Sequence, residues 1–315
     1  MTGLMEIFWK ELSDNFNSKR FVILFVLVYL AGVASIYIAA QNIRSTVDES
    51  TRFIFLNLFI VSGEDLPFSF PLFMSIFIPI IGIMLGFDAV NSERTSGNLS
   101  RLLAQPIYRD DVINGKFLAG LVVIAILIFS IVTLVAGLGL RMIGVPPEAE
   151  EVLRIFAFIF VSILYGAFWM SLAIMFSVFF KKTATSALAS IAIWIFLFLF
   201  MSLIAGLIAN SIVPINDNST VDEVAKFDTV FRMINRINPG TLYSESIQAI
   251  LLPVMGSPSP TMMMIGIYSG LKPAPLPIAQ SLLIVWPQLV GLIALTAICF
   301  IIGYIKFMRE EIRST

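Results

Sequence analysis

The side chains of this chain that could take part in recognition or chemistry are concentrated in one polar stretch, NSERTSGNLSRLLAQPIYRDDVINGK, from Asn91 to Lys116. The stretch carries four basic and three acidic residues, although only 13% of the chain is charged. Within it, Leu99, Leu102 and Leu103 recur at the spacing of one helix face. An apolar ridge with arginines beside it is typical of a segment that docks into a groove of a partner protein.

Residues suited to catalysis or metal binding are few. The chain has no histidine and one cysteine, Cys299, within an apolar run. This composition excludes an internal disulfide, a His-based triad and a His/Cys metal cluster. A phosphate loop around Gly115-Lys116 would need Gly and Ser or Thr where Asp110 and Phe117 stand. We therefore expect no enzyme activity and no cofactor bound by this chain.

The elements that must position the polar stretch are membrane spans. Hydrophobic residues make up 58% of the chain, and the mean hydropathy is +0.93. Apolar runs of about 20 residues can cross a bilayer as helices. The runs predict six spans, at about 21–40, 68–87, 117–140, 155–180, 187–209 and 280–305. We expect an all-α, multi-pass protein of the plasma membrane, with a single transmembrane domain over residues 1–315.

Two features of the spans bear on function. Within these limits no span contains Asp, Glu, Lys or Arg. Because intramembrane charge is the usual mark of a proton relay or ion path, its absence argues against a proton-coupled carrier. In the second span, Gly82 and Gly86 have the spacing that lets two helices approach closely.

The N-terminal residues and the loop charges predict an orientation. Residues 1–20 predict a helix in the membrane interface, since apolar and charged residues fall on opposite sides. Its apolar side is formed by Leu4, Met5, Phe8, Trp9, Leu12 and Phe16. Loops on the N-terminal side hold 12 Lys and Arg residues in about 65 positions, against 8 in about 111 on the other side. By the positive-inside rule, both termini are expected in the cytoplasm.

The largest segment between spans, 210–279, is expected to be an extracellular insertion, a small helical cap before the last span. Thr220 and Glu223 match a capping box, which predicts a helix start. Asn238-Pro239-Gly240 predicts the end of that helix. Six prolines between residues 253 and 277 argue against regular structure there. Asn218 begins an Asn-Ser-Thr glycosylation pattern, which is common by chance.

Local signals divide the polar stretch into short pieces. Glu93 favours a helix start, and Gly97 predicts a bend or break in that helix. Pro106 stops the helix, and Arg109 lies in the turn that leads to the third span. We expect a short amphipathic helix held between two spans. The alternative is a solvated loop whose basic residues only set the topology.

From Gly86 to Gly120, the sequence GFDAVNSERTSGNLSRLLAQPIYRDDVINGKFLAG resembles the membrane subunits of type-2 ABC transporters, the ABC exporter permease family. The family pattern runs Asp, Glu-Arg, Gly-Thr-Leu, Leu-Leu, Pro-Val-Ser-Arg and Gly-Lys. The matching residues here are Asp88, Glu93-Arg94, Gly97-Asn98-Leu99, Leu102-Leu103, Pro106-Ile107-Tyr108-Arg109 and Gly115-Lys116. Asn98 replaces Thr and Tyr108 replaces Ser. The six spans and the N-terminal interfacial helix agree with the same family.

The resemblance implies a function for the polar stretch. It is expected to be the coupling helix that contacts a separate ATPase subunit at the cytoplasmic face. The implied interface residues are Glu93, Arg94, Gly97, Leu99, Leu102, Leu103, Pro106 and Arg109. ATP and Mg would then bind to the partner ATPase, and export would require a second permease subunit, either an identical copy or a paralogue, in a dimer. No nucleic-acid partner is expected.

Two other classes of function stay open on the sequence. A non-transporting scaffold or sensor, in which the outer cap is the sensing element, would not depend on ATP. A secondary carrier would depend on an ion gradient. The substrate is not determined, because spans without charge are compatible with lipids, apolar drugs, peptides or a lipid-linked product.

Overall fold

The computed structural model describes residues 3–46, 53–60, 69–97, 107–216, 219–251 and 276–309. Within these ranges the chain forms helices and no strand, which confirms the all-α prediction. The helices are α1 (Gly3–Asn17), α2 (Lys19–Thr46), α3 (Ile54–Ile60), α4 (Phe70–Gly86), α5 (Asn91–Thr95), α6 (Arg109–Ile143), α7 (Ala149–Phe179), α8 (Thr183–Ile212), α9 (Val221–Asn235), α10 (Pro239–Leu251) and α11 (Ile278–Arg309).

Six helices in the described ranges are long and apolar enough to cross a membrane. They are α2, α4, α6, α7, α8 and α11, and they coincide with the six predicted spans to within a few residues at most ends. α6 and α7 begin well before the apolar runs that predicted them. The reason is that the helical backbone continues through charged first turns, which a criterion of apolar length leaves out.

The bundle has two ends, which we name for what they carry. At the basic end lie α1, α5, the start of α6, Lys181-Lys182 and the last turn of α11, with its Lys306 and Arg309. At the hairpin end lie the starts of α7 and α11, the end of α8, and the hairpin formed by α9 and α10. α6 and α8 therefore run from the basic end to the hairpin end, and α7 and α11 run back.

α4 and α7 approach each other closely at the two glycines identified in the sequence. A Cβ atom added at Gly82 would lie 2.7 Å from the carbonyl oxygen of Gly166. One added at Gly86 would lie 2.6 Å from that of Met170. Since side chains at either position would collide with backbone, the predicted close helix approach is confirmed.

The segment before the last span folds into α9 and α10. The predicted capping box starts α9, because the Thr220 hydroxyl accepts a hydrogen bond from the Glu223 N–H and the Glu223 carboxylate accepts one from the Thr220 N–H. α9 ends at Asn235, close to the predicted stop. Pro239 has a second role, since it is the first residue of α10, where its fixed φ and missing N–H suit a helix start.

This hairpin lies alongside the spans as well as at their end. At its turn, Asn238 Nδ2 donates a hydrogen bond to the Leu197 carbonyl at 3.1 Å. Leu197 is near the middle of α8, about 21 Å along the helix axis from Thr183. α10 packs against α7 and α11, and its buried Tyr243 hydroxyl lies 3.0 Å from Ser162 Oγ. The helical cap expected from the sequence is thus anchored within the bundle. The predictions for Asn218 and for most of the proline-rich segment fall outside the described residues.

Candidate functional site

The structure places half of the predicted coupling residues. Glu93 and Arg94 lie in α5, Gly97 follows it, and Arg109 is the first residue of α6. Gly97 has a φ of +71°, which ends the helix in the left-handed conformation that glycine adopts without strain. The break predicted at Gly97 is therefore present. The predictions for Leu99, Leu102, Leu103 and Pro106 lie outside the described residues.

A buried ion-pair network fixes α5 to its neighbours. The Lys116 ammonium of α6 lies 2.9 Å from the Glu93 carboxylate and 2.7 Å from the Glu11 carboxylate of α1. Only 6% of the Lys116 side chain and 13% of the Glu93 side chain are exposed. The more exposed Lys10 adds a longer pair to Glu93 at 3.4 Å. One ammonium therefore links α1 to α5 and α6.

α1 reaches this network because it packs closely on the first turns of α6. A Cβ atom at Gly115 would lie 2.8 Å from the Ile7 side chain, so a larger residue there would force Ile7 to shift. Ile7 is buried by this contact, whereas Met5 and Trp9 stay exposed on the outer side of α1. Exposed apolar side chains on a helix beside a span suit the predicted interfacial helix. Its inner side is thereby fixed to α6.

Two further contacts tie the α4–α5 corner to other spans. Ser177 Oγ, near the end of α7, accepts hydrogen bonds from the backbone N–H groups of Val90 at 2.9 Å and Asn91 at 3.2 Å. Asp88 pairs with Arg20, at the start of α2, at 2.9 Å. Movement of α5 must therefore strain contacts to α1, α2, α6 and α7 together.

The surroundings of the network shift the pKa values of two α1 residues. Burial acts to raise the pKa of Glu11, but the neighbouring Lys116 and Lys10 outweigh it, so the pKa lies below its usual value. Burial acts to lower the pKa of Lys10, but Glu11 and Glu93 outweigh it, so the pKa is raised. Both groups are therefore held in their charged forms at neutral pH.

A polar cavity of about 530 Å³ opens between α1, α2, α4 and α5 at the basic end. Its lining includes Lys10, Glu11, Arg20, Asp88 and Glu93. The ion pairs described above form its walls. A partner that docks on α5 would therefore also meet the polar side of α1.

A second buried network, at the hairpin end, was missed in the sequence. Arg154 of α7 is completely buried, although it stands one residue before the predicted span. Its guanidinium donates to the Ile250 carbonyl at 2.7 Å and to Ser281 Oγ at 3.2 Å. It also pairs with Glu150 at 2.7 Å. Arg154 thereby joins the end of α10 and the start of α11 to α7.

The same turn of α7 holds α3. The buried Glu151 carboxylate accepts hydrogen bonds from the backbone N–H groups of Phe55 at 3.0 Å and Leu56 at 3.1 Å. These are N–H groups of the first turn of α3, which have no partner within their own helix. A signal was available in the sequence, because Glu150, Glu151 and Arg154 stand immediately before the apolar run of the fourth span. Their partners are too distant along the chain to be read from it.

In the described ranges, six helices long enough to span a membrane, with a short helix fixed between the second and third of them, define a multi-pass membrane protein. Residues 5–312 match the model of the ABC-2 family transporter protein, and the chain belongs to that family.

A curated relative agrees with this assignment. It is named "Probable ABC transporter permease protein NosY", from Pseudomonas aeruginosa, and is 30% identical to this chain over 126 residues. The match spans 38% of this chain and 43% of the relative, so less than half of the relative's length is covered. The resemblance identified from Asp88 to Lys116 is confirmed at the level of the family.

Proposed function

We propose that this chain is the permease subunit of an ATP-driven exporter that works as a dimer of six-span subunits. ATPase chains, which bind ATP and Mg²⁺, dock at the basic end. That end, with both termini, faces the cytoplasm of a cell whose plasma membrane the dimer spans. Family membership over nearly the whole chain supports the permease role. The direction of transport and the coupling to ATP are parts of the proposal.

The position of Lys116 is the observation that most strongly supports the proposed coupling role. Its ammonium bonds Glu93 of α5 and Glu11 of α1, and the residue itself stands at the entry to a span. A buried ion pair is stabilising only while its two charged groups stay at hydrogen-bond distance, so its members tend to move together. A displacement of α5 is therefore passed to α1 and α6 as a unit.

The proposed mechanism starts with closure of the ATPases on ATP. The closing ATPases push on residues 91–105, where Leu99, Leu102 and Leu103 form the docking ridge. Arg94 and Arg109 supply polar contacts beside this ridge, and Gly97 and Pro106 bound it. Glu93 transfers the push to Lys116, while Ser177 carries it to α7. The spans then tilt and open a path between the two permease subunits.

The Leu102→Asp variant tests this proposal. We expect it to abolish association with the ATPase, because a charge enters the apolar ridge, while the permease still folds. The matched control is Val221→Asp, which places the same charge on an exposed apolar residue at the hairpin end. Intact association of folded Leu102→Asp would contradict the docking assignment.

A second measurement separates the proposal from the other two classes of function. An exporter requires ATP hydrolysis for transport, a scaffold shows no transport, and a secondary carrier follows an ion gradient. The lack of charge in the spans no longer weighs against a carrier, since Arg236 and Glu245 of the hairpin lie beside the spans. Transport that persists without ATP and collapses with the ion gradient would establish the carrier.

A further inference from the structure

Four basic side chains at the basic end take no part in the proposed coupling. Lys181 and Lys182 follow the end of α7, and Lys306 and Arg309 lie in the last turn of α11. All four are exposed, and none forms an ion pair within the part of the chain that the structure describes. We call these four residues the terminal basic patch.

The chain does not neutralise the charge of this patch. Elsewhere at the basic end, the Lys116 ammonium lies 2.7 Å from a carboxylate and the Arg20 guanidinium lies 2.9 Å from one. Among the charged residues at 181–182 and 306–313, five are basic and only Glu310 and Glu311 are acidic. The patch is therefore a positively charged surface at the end of two spans, and it attracts an anion.

The two halves of the patch lie at the same level of the bundle. A Cβ atom added at Gly303 of α11 would lie 3.1 Å from the Cα atom of Met175 in α7, so the two helices are in close contact there. α7 and α11 run in the same direction. Arg309 lies about 9 Å beyond Gly303 along α11, and Lys181 follows Met175 by the same number of residues. The four cations thus gather around the ends of two packed helices.

The α11 half of the patch is separated from the predicted coupling helix. α4, which leads to α5, contacts α7 at Gly166 and Ala173, whereas α11 contacts it at Met175. At 3.6 residues per turn, Met175 is on the opposite face of α7 from Gly166 and Ala173. A partner that docks on α5 therefore has α7 between it and the end of α11.

An apolar stripe leads from the patch toward the middle of the bilayer. Its residues share one face of α11 with Arg309, at intervals of three and four positions, and they are Ile305, Ile302 and Ile298. Their side chains are 44%, 44% and 53% exposed. Ile298 lies about 16 Å from Arg309 along the helix axis, which is about half of the roughly 30 Å hydrocarbon core. This is the depth that one lipid chain occupies below its headgroup.

We propose that the terminal basic patch binds the phosphate of an anionic phospholipid, one chain of which lies along the isoleucine stripe. The Arg309 guanidinium offers a planar pair of N–H donors that suits phosphate oxygens, and the lysines add point charges. Basic pockets between spans at a membrane surface are suited to such headgroups. The bound lipid joins the ends of α7 and α11. This inference goes beyond the proposed function and does not depend on an ATPase.

Binding is measured on the permease alone, purified in a neutral detergent. The probe is a fluorescently labelled phosphatidylglycerol, followed by anisotropy. The comparison probe is a phosphatidylcholine with the same label and chains, in which choline cancels the phosphate charge. We expect the phosphatidylglycerol to bind at least about tenfold more tightly, the value of one hydrogen bond to a charged group. Because the whole chain has a net charge of −1, such a preference cannot come from its overall charge. Equal binding of the two probes would overturn the proposal.

Three variants assign the binding to the patch. Arg309→Gln is expected to weaken binding of phosphatidylglycerol by about fivefold, the worth of one basic residue near an anionic surface. Lys306→Gln, in the same turn, is expected to act alike, so the assignment does not depend on one variant. The matched control is Lys19→Gln, which removes an exposed charge without an ion pair at the start of α2 and is expected to leave binding unchanged. Equal losses in folded Arg309→Gln and Lys19→Gln would mean a general attraction to the basic end and would overturn the site.

Two further arms distinguish a lipid from other anions. Inorganic phosphate is added as a competitor at millimolar concentration and is expected not to displace the probe, because it lacks the chain. Displacement by phosphate would mean a site for free anions and would overturn the lipid. The second arm is co-purification of the ATPase, which Arg309→Gln is expected to leave intact. Loss of the ATPase with unchanged binding of the probe would make the patch a protein contact and would also overturn the lipid.

Discussion

The Lys116 ammonium lies 2.9 Å from the Glu93 carboxylate, and both side chains are largely buried. Glu93 was expected from the sequence as a contact for the ATPase, whereas in the structure it is bonded within the chain. In the proposed mechanism, Glu93 therefore acts by holding α5 against α6. The ATPase contact itself stays a prediction for the ridge that follows α5.

Replacement of Lys116 by Met is expected to destabilise the permease. Two carboxylates, of Glu93 and Glu11, would be left buried without their shared cation, which costs roughly 3–5 kcal/mol. Lys10→Met is the matched control, because the Lys10 side chain is half exposed and its pairs are worth at most about 1 kcal/mol. Thermal unfolding in detergent measures both. Equal losses of unfolding temperature in the two variants would mean that burial of the Lys116 ion pairs adds nothing to the stability of the fold.

Stability is expected to depend on pH through Glu11. Its pKa in the folded state lies below the usual 4.5, because Lys116 and Lys10 outweigh burial. A lowered pKa stabilises the fold above the unfolded value, and this contribution is lost as the pH falls through the folded value. Wild type should therefore exceed Glu11→Gln in unfolding temperature at pH 7, and the gap should narrow progressively as the pH falls below 4.5. A gap that is constant with pH would contradict the role of this carboxylate.

The close approach of α4 and α7 predicts a clear difference between two glycines. Gly86→Ala would place a methyl group 2.6 Å from the Met170 carbonyl oxygen and is expected to cost about 1–3 kcal/mol. Gly137→Ala meets no atom within 4 Å and is expected to be neutral or slightly stabilising. Unfolding temperatures of the two variants check this. A tolerated Gly86→Ala would show that the helices are farther apart.

Arg154 is expected to be essential for the hairpin end. Arg154→Met removes the donor of three hydrogen bonds and leaves Glu150 without its cation, at a cost of roughly 3–5 kcal/mol. Arg141→Met, at an exposed position on α6, should cost at most about 1 kcal/mol. Thermal unfolding again measures both. A stable Arg154→Met would show that its bonds add nothing net to the fold.

The spans and the capping box were predictable because they depend on neighbours in the sequence. Apolar length locates a span, and Thr220 and Glu223 contact each other within one helical turn. The networks were not predictable, because Lys116 meets Glu11 across 105 positions and Arg154 meets Ser281 across 127. No periodic pattern encodes such pairs. The position of the hairpin beside the spans was hidden for the same reason, since contacts such as those from Asn238 to Leu197 and from Tyr243 to Ser162 join residues far apart in the sequence.

The most direct test is purification of the tagged chain from its native membrane in mild detergent, with identification of the proteins that accompany it. We predict a stoichiometric ATPase that carries a phosphate loop and is lost with Leu102→Asp but kept with Val221→Asp. Reproducible absence of any ATPase, with the permease intact and folded, would contradict the exporter.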